Sequence, residues 1–332
     1  MKASVIGDGG WGTALAMVLH RNGHDVHVWG PFPDYIETVR ATGENTKYLS
    51  GVSLPEGIQW TADRTEAVKD AEVVVLATPS KYFADIAESF APLIPHSARV
   101  VSVAKGLSKD GHQRMTEMAC ALLDHPHIAA LSGPSHAEEV ARGVPSAVAI
   151  ACDDVQVAES LQEVFNAPTF RVYTADDVVG VELGGALKNV IAIAAGVSDG
   201  LGFGDNTKAA LVTRGLAEII RLGRAMGAKP STFSGLSGIG DLLVTCMSPL
   251  SRNRAVGERL GRGDSLQQIL DDMEQVAEGV WTCVSARLLA RDRGVDVPIT
   301  DEVYAIAHEG KDPREAVQTL LTRNPKPETE QA

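Results

Sequence analysis

The sequence predicts an α/β protein in which a mostly parallel N-terminal sheet is followed by an all-helical C-terminal domain. Short apolar runs alternate with helix-length segments in the first half, and strand patterns are almost absent after Val178. The 332 residues are also more than one hydrophobic core usually serves, so two domains are expected. Because apolar strands that alternate with helices are buried on both faces, helices should cover each side of the sheet.

Six apolar runs in the first half are predicted strands. They are Ala3–Ile6, Val26–Trp29, Glu72–Ala77, Arg99–Ala104, His127–Leu131 and Ala147–Ala151. Segments of helical length, among them Thr13–Arg21 and Gln113–Leu123, lie between these runs. Ligands of an open parallel sheet bind beyond the carboxyl ends of its strands, so a binding site is expected at that edge.

The second half has helical periodicity. Two examples are "TKAALVTRGLAEIIRLGRAMG" and "VWTCVSARLLARDRG", and glycine-rich turns separate such segments. The last nine residues, "NPKPETEQA", are polar and contain proline, as is typical of a frayed terminus. We therefore predict a sheet domain over residues 1–178, a helical domain over 179–323 and a flexible tail over 324–332.

Composition narrows the classes of function. The net charge of -13 argues against nucleic acid as a main partner, because phosphate backbones are bound by basic surfaces. The four cysteines form no C-x-x-C pair and the histidines form no H-E-x-x-H motif, so neither a metal site nor a redox dithiol is predicted. The start "MKASVIG" lacks signal-peptide features, and the apolar run Ile191–Val197 is too short to span a bilayer. A cytoplasmic protein without a membrane span is expected.

A glycine fingerprint follows the first predicted strand. In "GDGGWGTALA", Gly7, Gly9 and Gly12 satisfy G-x-G-x-x-G, which allows a tight turn, close approach of a pyrophosphate and close helix–strand packing. The pattern alone is weak, since glycines also mark ordinary loops. Here it lies between a strand and an amphipathic helix, where the helix N-terminus offers N–H groups to an anion. This context predicts a Rossmann-type dinucleotide-binding domain over residues 1–178.

The end of the second strand leaves the cofactor unresolved. An acid there would bind the ribose 2′-hydroxyl of NAD, and an arginine would accept the 2′-phosphate of NADP. The strand "VHVWG" ends at Gly30 and is followed by Pro31 and Phe32, so neither signal is present. Asp34 and Arg40 lie further along the chain. NAD and NADP both stay open.

Lys188 lies in the apolar segment "GALKNVIAIAAG". Its neighbours three and four residues away are glycines, isoleucine and alanine, so no local acid is available to pair it. A buried ammonium must find a distant partner or lose its proton, although a solvated helix face is the ordinary alternative. Asp241, in "SGIGDLLVTC", is either a helix N-cap or an acid that orients such a lysine.

Two segments that follow strands carry polar residues toward the expected site. Lys105, in "VVSVAKGL", lies just past an apolar strand; the alternative is a loop lysine that caps a helix. In "LSGPSHAEEV", Ser135 and Glu138 match an S-x-x-E capping box after a turn at Gly133 and Pro134. A capped helix at this edge would still offer N–H groups to an anion.

The segment "SPLSRNRAVGERLG" contains two arginines in different settings. Arg254 has Glu258 four residues later, which predicts a surface ion pair. Arg252 has no local acid, and its planar guanidinium suits bidentate binding of phosphate. Ser251, Arg252 and Asn253 at a helix start are therefore a predicted phosphate clamp.

Seven motifs in order resemble the NAD(P)-dependent glycerol-3-phosphate dehydrogenase family. They are "GDGGWGTALA", "AKGL", "SGPSHAEE", "GGALKNVIAIAAGVSDGLGFGDNTKAAL", "GIGDLLVTC", "SRNR" and "VAEG". The resemblance extends from Met1 to about Arg323, and its specific parts are the Lys-Asn and Ser-Arg-Asn segments. It implies reversible hydride transfer between NAD or NADP and dihydroxyacetone phosphate, giving sn-glycerol 3-phosphate for glycerophospholipid synthesis. It also implies a homodimer.

The resemblance assigns roles by matched position. Lys188 is matched to the general acid/base, with Lys105, Asp241 and Asn189 at the reacting centre. The residues matched to substrate contacts are Lys105, Gly133, Ser135, Lys188, Asp241, Thr245, Ser251, Arg252 and Asn253. Those matched to the cofactor are Gly7, Gly9, Gly10, Trp11, Gly12, Lys105, Ala137, Arg252, Val276 and Glu278. The family often has a basic or polar residue where this chain has Pro31, which puts recognition of a 2′-phosphate in doubt.

The chemistry of ketone reduction agrees with these roles. Hydride must reach the carbon and a proton must reach the oxygen, and a lysine can give that proton near neutral pH if burial or a nearby cation lowers its pKa. Lys105 would lower the pKa of Lys188, whereas Asp241 would raise it. The alternatives are a related dehydrogenase acting on a β-hydroxy acid or ketopantoate-like substrate, and a dinucleotide sensor without chemistry.

Overall fold

One eight-stranded sheet organises the first half of the chain. The computed structural model describes residues 1–109, 112–273, 275–325 and 327–328, so most of the predicted tail over 324–332 lies outside the described residues. The strands are β1 (Lys2–Ile6), β2 (Asp25–Trp29), β3 (Gln59–Thr61), β4 (Val73–Leu76), β5 (Arg99–Ser102), β6 (Ile128–Ser132), β7 (Ser146–Ala151) and β8 (Phe170–Ala175). Their order is β3-β2-β1-β4-β5-β6-β7-β8. All neighbouring pairs are parallel except β6 and β7, which confirms a mostly parallel sheet.

All six predicted strands form, and β3 and β8 were not predicted. β3 has only three residues, too few to show a period. β8 lies at the edge of the sheet, where buried Phe170 and Val172 alternate with exposed Arg171 and Tyr173. This alternation is typical of a strand with one solvated face, and it contains no continuous apolar run from which a buried strand would be predicted.

Helices cover both faces of the sheet, as the apolar strands require. In the first half they are α1 (Gly10–Arg21), α2 (Pro33–Thr42), α3 (Arg64–Val68), α4 (Ser80–Phe90), α5 (Met115–Leu123), α6 (Ala137–Ala141) and α7 (Val155–Phe165). Side chains of β1 alternate between two cores. Val5 belongs to a core that contains Leu15 and Phe165, and Ile6 to one that contains Phe83 and Met115. Both faces of the strand are therefore sealed from water.

The second half is helical throughout its described residues. Its helices are α8 (Val178–Gly200), α9 (Asp205–Ala225), α10 (Asp241–Met247), α11 (Arg252–Arg262), α12 (Leu266–Asp271), α13 (Glu278–Asp292), α14 (Pro298–Glu309) and α15 (Pro313–Leu321). Two short helical turns, Pro230–Ser234 and Leu236–Gly240, precede α10. One apolar core surrounds α8 from Leu183 onward, so α8 serves as the central helix of this half, while Val178 and Val181 at its start pack with alanines of β6 and β7.

Glycines let α8 and α11 approach closely. A Cβ atom on Gly196 would lie 2.0 Å from the carbonyl oxygen of Arg254, and one on Gly257 would lie 2.0 Å from that of Ile193. Only hydrogen fits in these two places, so the two helix backbones are in direct contact. This contact fixes the start of α11 relative to Lys188 on α8.

The length of α8 corrects one expectation. The apolar run Ile191–Val197 is by itself too short to cross a bilayer. The helix that contains it has 23 residues and is long and apolar enough to cross one. Within the fold, 89% of its most apolar 18-residue window is buried. The apolar composition of α8 is therefore used to build the core of the helical half.

A buried carboxylate joins the two halves. Glu182 on α8 accepts hydrogen bonds from the Thr116 backbone N (2.8 Å) and hydroxyl (2.6 Å) at the start of α5. It also forms an ion pair with Arg114. These contacts hold α8, six residues before Lys188, against a helix of the sheet domain.

Candidate active site

A cleft of about 650 Å³ lies where the carboxyl edge of the sheet meets the helical half. The strand order reverses between β1 and β4, and the loops after both strands line the cleft through Gly7, Gly9 and Thr78. An open α/β sheet binds its ligands at such a reversal. The helical half supplies the facing wall, which includes Lys188 and Arg252.

The glycine fingerprint forms the floor of this cleft. Gly7 has φ +123°, and a Cβ atom there would lie 2.7 Å from the Ala77 carbonyl oxygen. A Cβ atom on Gly12 would lie 2.2 Å from the Gly7 carbonyl oxygen, whereas one on Gly9 would meet nothing within 4 Å. Gly7 and Gly12 therefore allow the strand, turn and helix to pack, and Gly9 keeps the floor open beside the N-terminus of α1. This arrangement fits a pyrophosphate.

Asp241 joins two ammonium groups in the wall of the cleft. Its Oδ1 lies 2.5 Å from Lys188 Nζ, and its Oδ2 lies 2.7 Å from Lys105 Nζ. Asp241 is 1% exposed and Lys188 6% exposed, so both charges are removed from water. Lys188 also donates to the Thr245 hydroxyl at 2.6 Å, and Lys105 donates to the Gly133 carbonyl at 2.9 Å.

The cluster changes the acidity of its members. Burial lowers the pKa of the Lys188 amine to about 8; Lys105 adds to this shift and Asp241 opposes it. Burial alone would raise the pKa of the Asp241 carboxyl, but the two ammonium groups outweigh it and hold that pKa below its ordinary value. Asp241 is therefore ionised at neutral pH, while Lys188 exchanges its proton close to neutrality.

Two asparagines connect the lysine loop with the helices. Asn189 donates to the Lys105 carbonyl oxygen at 3.2 Å and accepts from Asn253 Nδ2 at 2.9 Å. The Oδ1 of Asn253 accepts from the Gly279 backbone N at 2.8 Å. The Asn189 side-chain nitrogen thus holds the loop after β5 against α8, and the two side-chain oxygens join α8 to α11 and α11 to α13. These contacts fix the position of Lys105 relative to Lys188 on α8.

The start of α11 and the segment 275–278 close the other end of the cleft. Ser251 caps α11 by accepting from the Arg254 backbone N at 3.2 Å. Arg252 is exposed and donates to the Val276 carbonyl oxygen at 2.9 Å. Glu278 accepts from the Ser80 backbone N at 2.9 Å and from the Ser80 hydroxyl. Segment 275–278 therefore bridges the helical half and the N-terminus of α4.

Three local expectations need correction or extension. The capping box of Ser135 and Glu138 is wrong: α6 begins at Ala137, and the Ser135 hydroxyl donates to the Gly133 carbonyl instead (2.8 Å). Asp241 is the first residue of α10 but caps no backbone N–H of that helix, since its carboxylate binds the two lysines. Arg254 pairs with Glu258 as predicted, and also with Asp199 on α8 at 2.9 Å.

Most residues singled out in the sequence line the cleft. They are Gly7, Gly9, Gly10, Trp11, Lys105, Ser135, Ala137, Lys188, Asn189, Thr245, Ser251, Arg252, Asn253, Val276 and Glu278. Gly12, Gly133 and Asp241 are buried behind its wall. Gly133 has φ +149° and contributes its carbonyl oxygen to Lys105.

Further lining residues were missed. Among them are Asp8, Lys47, Tyr48 and His136. Asp8 lies within "GDGGWG" and His136 within "SGPSHAEE", at positions to which these motifs assign no role. Lys47 and Tyr48 lie between α2 and β3, in a segment without a motif that could have pointed to them.

The chain is similar to known proteins over nearly its whole length. Residues 2–158 match the family model described as the N-terminus of NAD-dependent glycerol-3-phosphate dehydrogenase, and residues 177–318 match the C-terminus. A glycerol-3-phosphate dehydrogenase (NAD(P)+) of Geobacter metallireducens is 50% identical over 331 residues, 98% of either chain. The crystal structure of glycerol-3-phosphate dehydrogenase from Coxiella burnetii is 38% identical with a TM-score of 0.94, covering 97% of this chain and 99% of that one.

A more distant likeness concerns the fold alone. A ketopantoate reductase from Ralstonia eutropha is 17% identical, with a TM-score of 0.62, and covers 97% of this chain and 100% of that one. The build of the two halves is therefore shared with dehydrogenases that act on other substrates, and residues in the cleft must decide between them.

Proposed function

The chain belongs to the NAD-dependent glycerol-3-phosphate dehydrogenase family, and from this membership we infer its reaction. It catalyses the reversible, NAD(P)H-dependent reduction of dihydroxyacetone phosphate to sn-glycerol 3-phosphate, the glycerol unit of glycerophospholipids. One observation in the structure carries the chemistry. The buried amine of Lys188 lines the cleft that opens at the reversal of the strand order, and burial lowers the pKa of this amine to about 8.

Lys188 acts as the general acid and base. When bound, the nicotinamide supplies or accepts the hydride, so the chain must supply the proton. Lys188 has three N–H groups when charged, and its partners among the described residues are Asp241 and Thr245. The remaining N–H serves the carbonyl oxygen of dihydroxyacetone phosphate in reduction. In oxidation the neutral amine takes the proton of the C2 hydroxyl.

Lys105 and Asp241 set the charge around the reacting carbon. Lys105 places a second ammonium beside the developing alkoxide, which stabilises negative charge on the substrate oxygen. Asp241 holds both lysines from behind, so neither has to reorganise during the reaction. Asn189 fixes the Lys105 loop, and Thr245 orients the Lys188 amine.

The phosphate of the substrate binds at the start of α11. Arg252 carries a guanidinium on the cleft side, and Ser251 begins a helix whose N-terminal N–H groups favour an anion. Asn253 takes part mainly as a scaffold, because its side chain bridges Asn189 and Gly279. The backbone at Gly133 and the Ser135 hydroxyl complete the substrate pocket near Lys105.

The dinucleotide binds along the fingerprint. Gly9 and Gly10 at the N-terminus of α1 hold the pyrophosphate, and the indole Nε1–H of Trp11 is buried without a partner among the described residues. Ala137 begins α6 on the same floor. Val276 and Glu278 close the cleft from the helical side.

The decisive experiment is steady-state reduction of a panel of phosphorylated and acidic ketones with NADH and with NADPH. Turnover of dihydroxyacetone phosphate together with inert ketopantoate and β-keto acids supports the proposal. A ketone other than dihydroxyacetone phosphate as the best substrate would assign the chain to a related dehydrogenase. Cofactor binding without turnover of any ketone would indicate that the chain is a dinucleotide sensor and not an enzyme.

We also propose a homodimer, with an apolar surface on α10 as part of its interface. Leu243 and Met247 lie four residues apart on this helix and are 43% and 64% exposed. Adjacent exposed apolar side chains are typical of contact surfaces. Sedimentation of the wild type and of Met247→Lys tests this, and a wild-type monomer at micromolar concentration would contradict it. The domain boundary near residue 178 and the cytoplasmic location stay predictions.

A further inference from the structure

The end of β2 lacks the acid that usually distinguishes NAD from NADP. In folds of this kind an acidic side chain at that place receives the ribose 2′-hydroxyl. Here β2 is followed by Gly30, Pro31 and Phe32, none of which can accept or donate through its side chain. If the site distinguishes the two cofactors, another part of the chain must supply the charge.

The structure brings a different carboxylate to this place. A Cβ atom on Gly30 would lie 2.5 Å from Asp8 Oδ2 and 2.7 Å from Asp8 Cγ. Asp8, the second residue of the fingerprint, therefore occupies the space that a side chain at position 30 would fill. Only glycine at position 30 leaves room for it. Asp8, Pro31 and Phe32 all line the cleft, so the carboxyl group lies beside the space expected to hold the adenosine ribose.

One oxygen of the Asp8 carboxyl group is available to a ligand. Asp8 is 5% exposed, and its Oδ2 is buried without a hydrogen-bond partner among the described residues. Contacts that hold the loop go to the backbone instead, since Thr13 and Asn45 both donate to the Asp8 carbonyl oxygen. An unpaired buried acceptor destabilises a fold, so an acceptor kept in this state indicates a ligand.

We propose that Asp8 replaces the missing acid: its carboxylate accepts a hydrogen bond from the ribose 2′-hydroxyl and repels a 2′-phosphate, so that the chain prefers NAD(H) to NADP(H). The inference rests on the proposed dinucleotide site and concerns only its choice between two cofactors. Burial raises the pKa of Asp8 to about 6, which leaves the group ionised at neutral pH.

Lys47 is the nearby charge that acts in the opposite direction. Its ammonium lies 6.0 Å from the centre of the Phe32 ring and attracts the Asp8 carboxylate, which lowers the pKa of Asp8 slightly against the effect of burial. A cation here would favour a 2′-phosphate if no acid balanced it. Removing the charge of Asp8 should therefore weaken the binding of NADH and strengthen the binding of NADPH.

The test is direct binding of cofactors to the wild type and to Asp8→Asn, by calorimetry at fixed ionic strength. The probes are NADH, NADPH and 2′-deoxy-NADH. The wild type should bind NADH at least about tenfold tighter than either of the other two, as expected for a hydrogen bond to a charged group. In Asp8→Asn, the affinity for NADH should fall about tenfold and approach the affinity for 2′-deoxy-NADH. The affinity for NADPH should rise. Asp34→Asn is the matched control, because Asp34 is the exposed acid next along the chain.

The outcomes separate this inference from the assignment of the reaction. An unchanged NADH-to-NADPH ratio in Asp8→Asn, or a wild type that binds NADPH more tightly, overturns the role of Asp8. A shift of the ratio in Asp34→Asn alone assigns the role to Asp34. Thermal unfolding of Asp8→Asn shows whether the variant folds, and Asp8→Ser, which keeps a small polar side chain, replaces it if it does not. Turnover of dihydroxyacetone phosphate is measured separately. If there is none, the proposed reaction is wrong, but the conclusion about cofactor binding by Asp8 still stands.

Discussion

Replacing the two charged neighbours of Lys188 should move its pKa in opposite directions. Asp241→Asn removes the negative charge 2.5 Å from the Lys188 amine. Lys105→Gln removes a positive charge that shares the same carboxylate. The first change should lower the pKa of Lys188, and the second should raise it. A residue that only supports the fold would not produce a pair of shifts with opposite signs.

The expected size follows from the geometry. Two unit charges 4 Å apart attract by about 4 kcal/mol at an effective dielectric constant near 20, and about 1.4 kcal/mol corresponds to one pKa unit. Relaxation and entering water will cancel part of this attraction. The pKa of Lys188, which is about 8 in the wild type, should therefore fall to about 6 or 7 in Asp241→Asn. It should rise to about 9 in Lys105→Gln.

The assay is kcat/KM for dihydroxyacetone phosphate from about pH 5.5 to 10, because this parameter reports groups of the free enzyme. Reduction needs protonated Lys188, so wild-type reduction should decline as the pH rises through about 8. Oxidation of glycerol 3-phosphate needs the neutral amine and should increase over the same range. Unfolding in urea checks that each variant folds, since Asp241→Asn should lose about 3–5 kcal/mol of stability. A descending limb that stays at the same pH in both variants would refute this account of the cluster.

Three further predictions concern single side chains. Lys188→Ala should lower kcat by about 10²–10⁴-fold and leave the Kd of NADH unchanged, because the amine serves only the proton step; equal losses in both would indicate a folding role. Arg252→Ala should raise KM for the phosphorylated substrate by about two to three orders of magnitude with kcat largely kept, and an unchanged KM would remove Arg252 from the phosphate site. Glu182→Ala should reduce the free energy of unfolding by about 3–5 kcal/mol, because it leaves Arg114 with only the more exposed carboxylate of Glu117 and leaves the Thr116 N–H and hydroxyl without their acceptor. The exposed Glu159→Ala, its matched control on α7, should change stability by less than about 0.5 kcal/mol; similar losses in the two variants would deny Glu182 its joining role.

Local patterns predicted the fold wherever neighbours in sequence decide the structure. The continuous apolar runs of β1 and β4 are buried on both faces, so their composition alone identifies them. The edge strand β8 depends on which face meets water, and that is decided by residues far along the chain. The start of α6 lies one residue later than the capping box predicts, because the Ser135 hydroxyl donates to the Gly133 carbonyl, a contact that competes with capping.

The candidate site could be predicted in its parts and not in its arrangement. The absence of an acid near Lys188 in sequence indicated a distant partner, and Asp241 lies 53 residues away. Only the contact between α10 and the loop after β5 shows that the same carboxylate also binds Lys105. The role of Asp8 could not be predicted for a related reason. Its carboxyl group lies beside Gly30 only when β1 and β2 pair, and the sequence alone does not show this contact.

The three charges of the lysine cluster are carried by two different parts of the fold. Lys188 and Asp241 are both carried by helices of the second half, whereas Lys105 follows β5 of the sheet. Asn189, next to Lys188 on α8, holds the Lys105 loop by donating to the Lys105 carbonyl oxygen. Without that contact Lys105 could leave the carboxylate while Lys188 kept it, and the Lys188 amine would become a weaker acid. The acidity that the reaction needs is therefore set by how the two halves are joined as well as by burial.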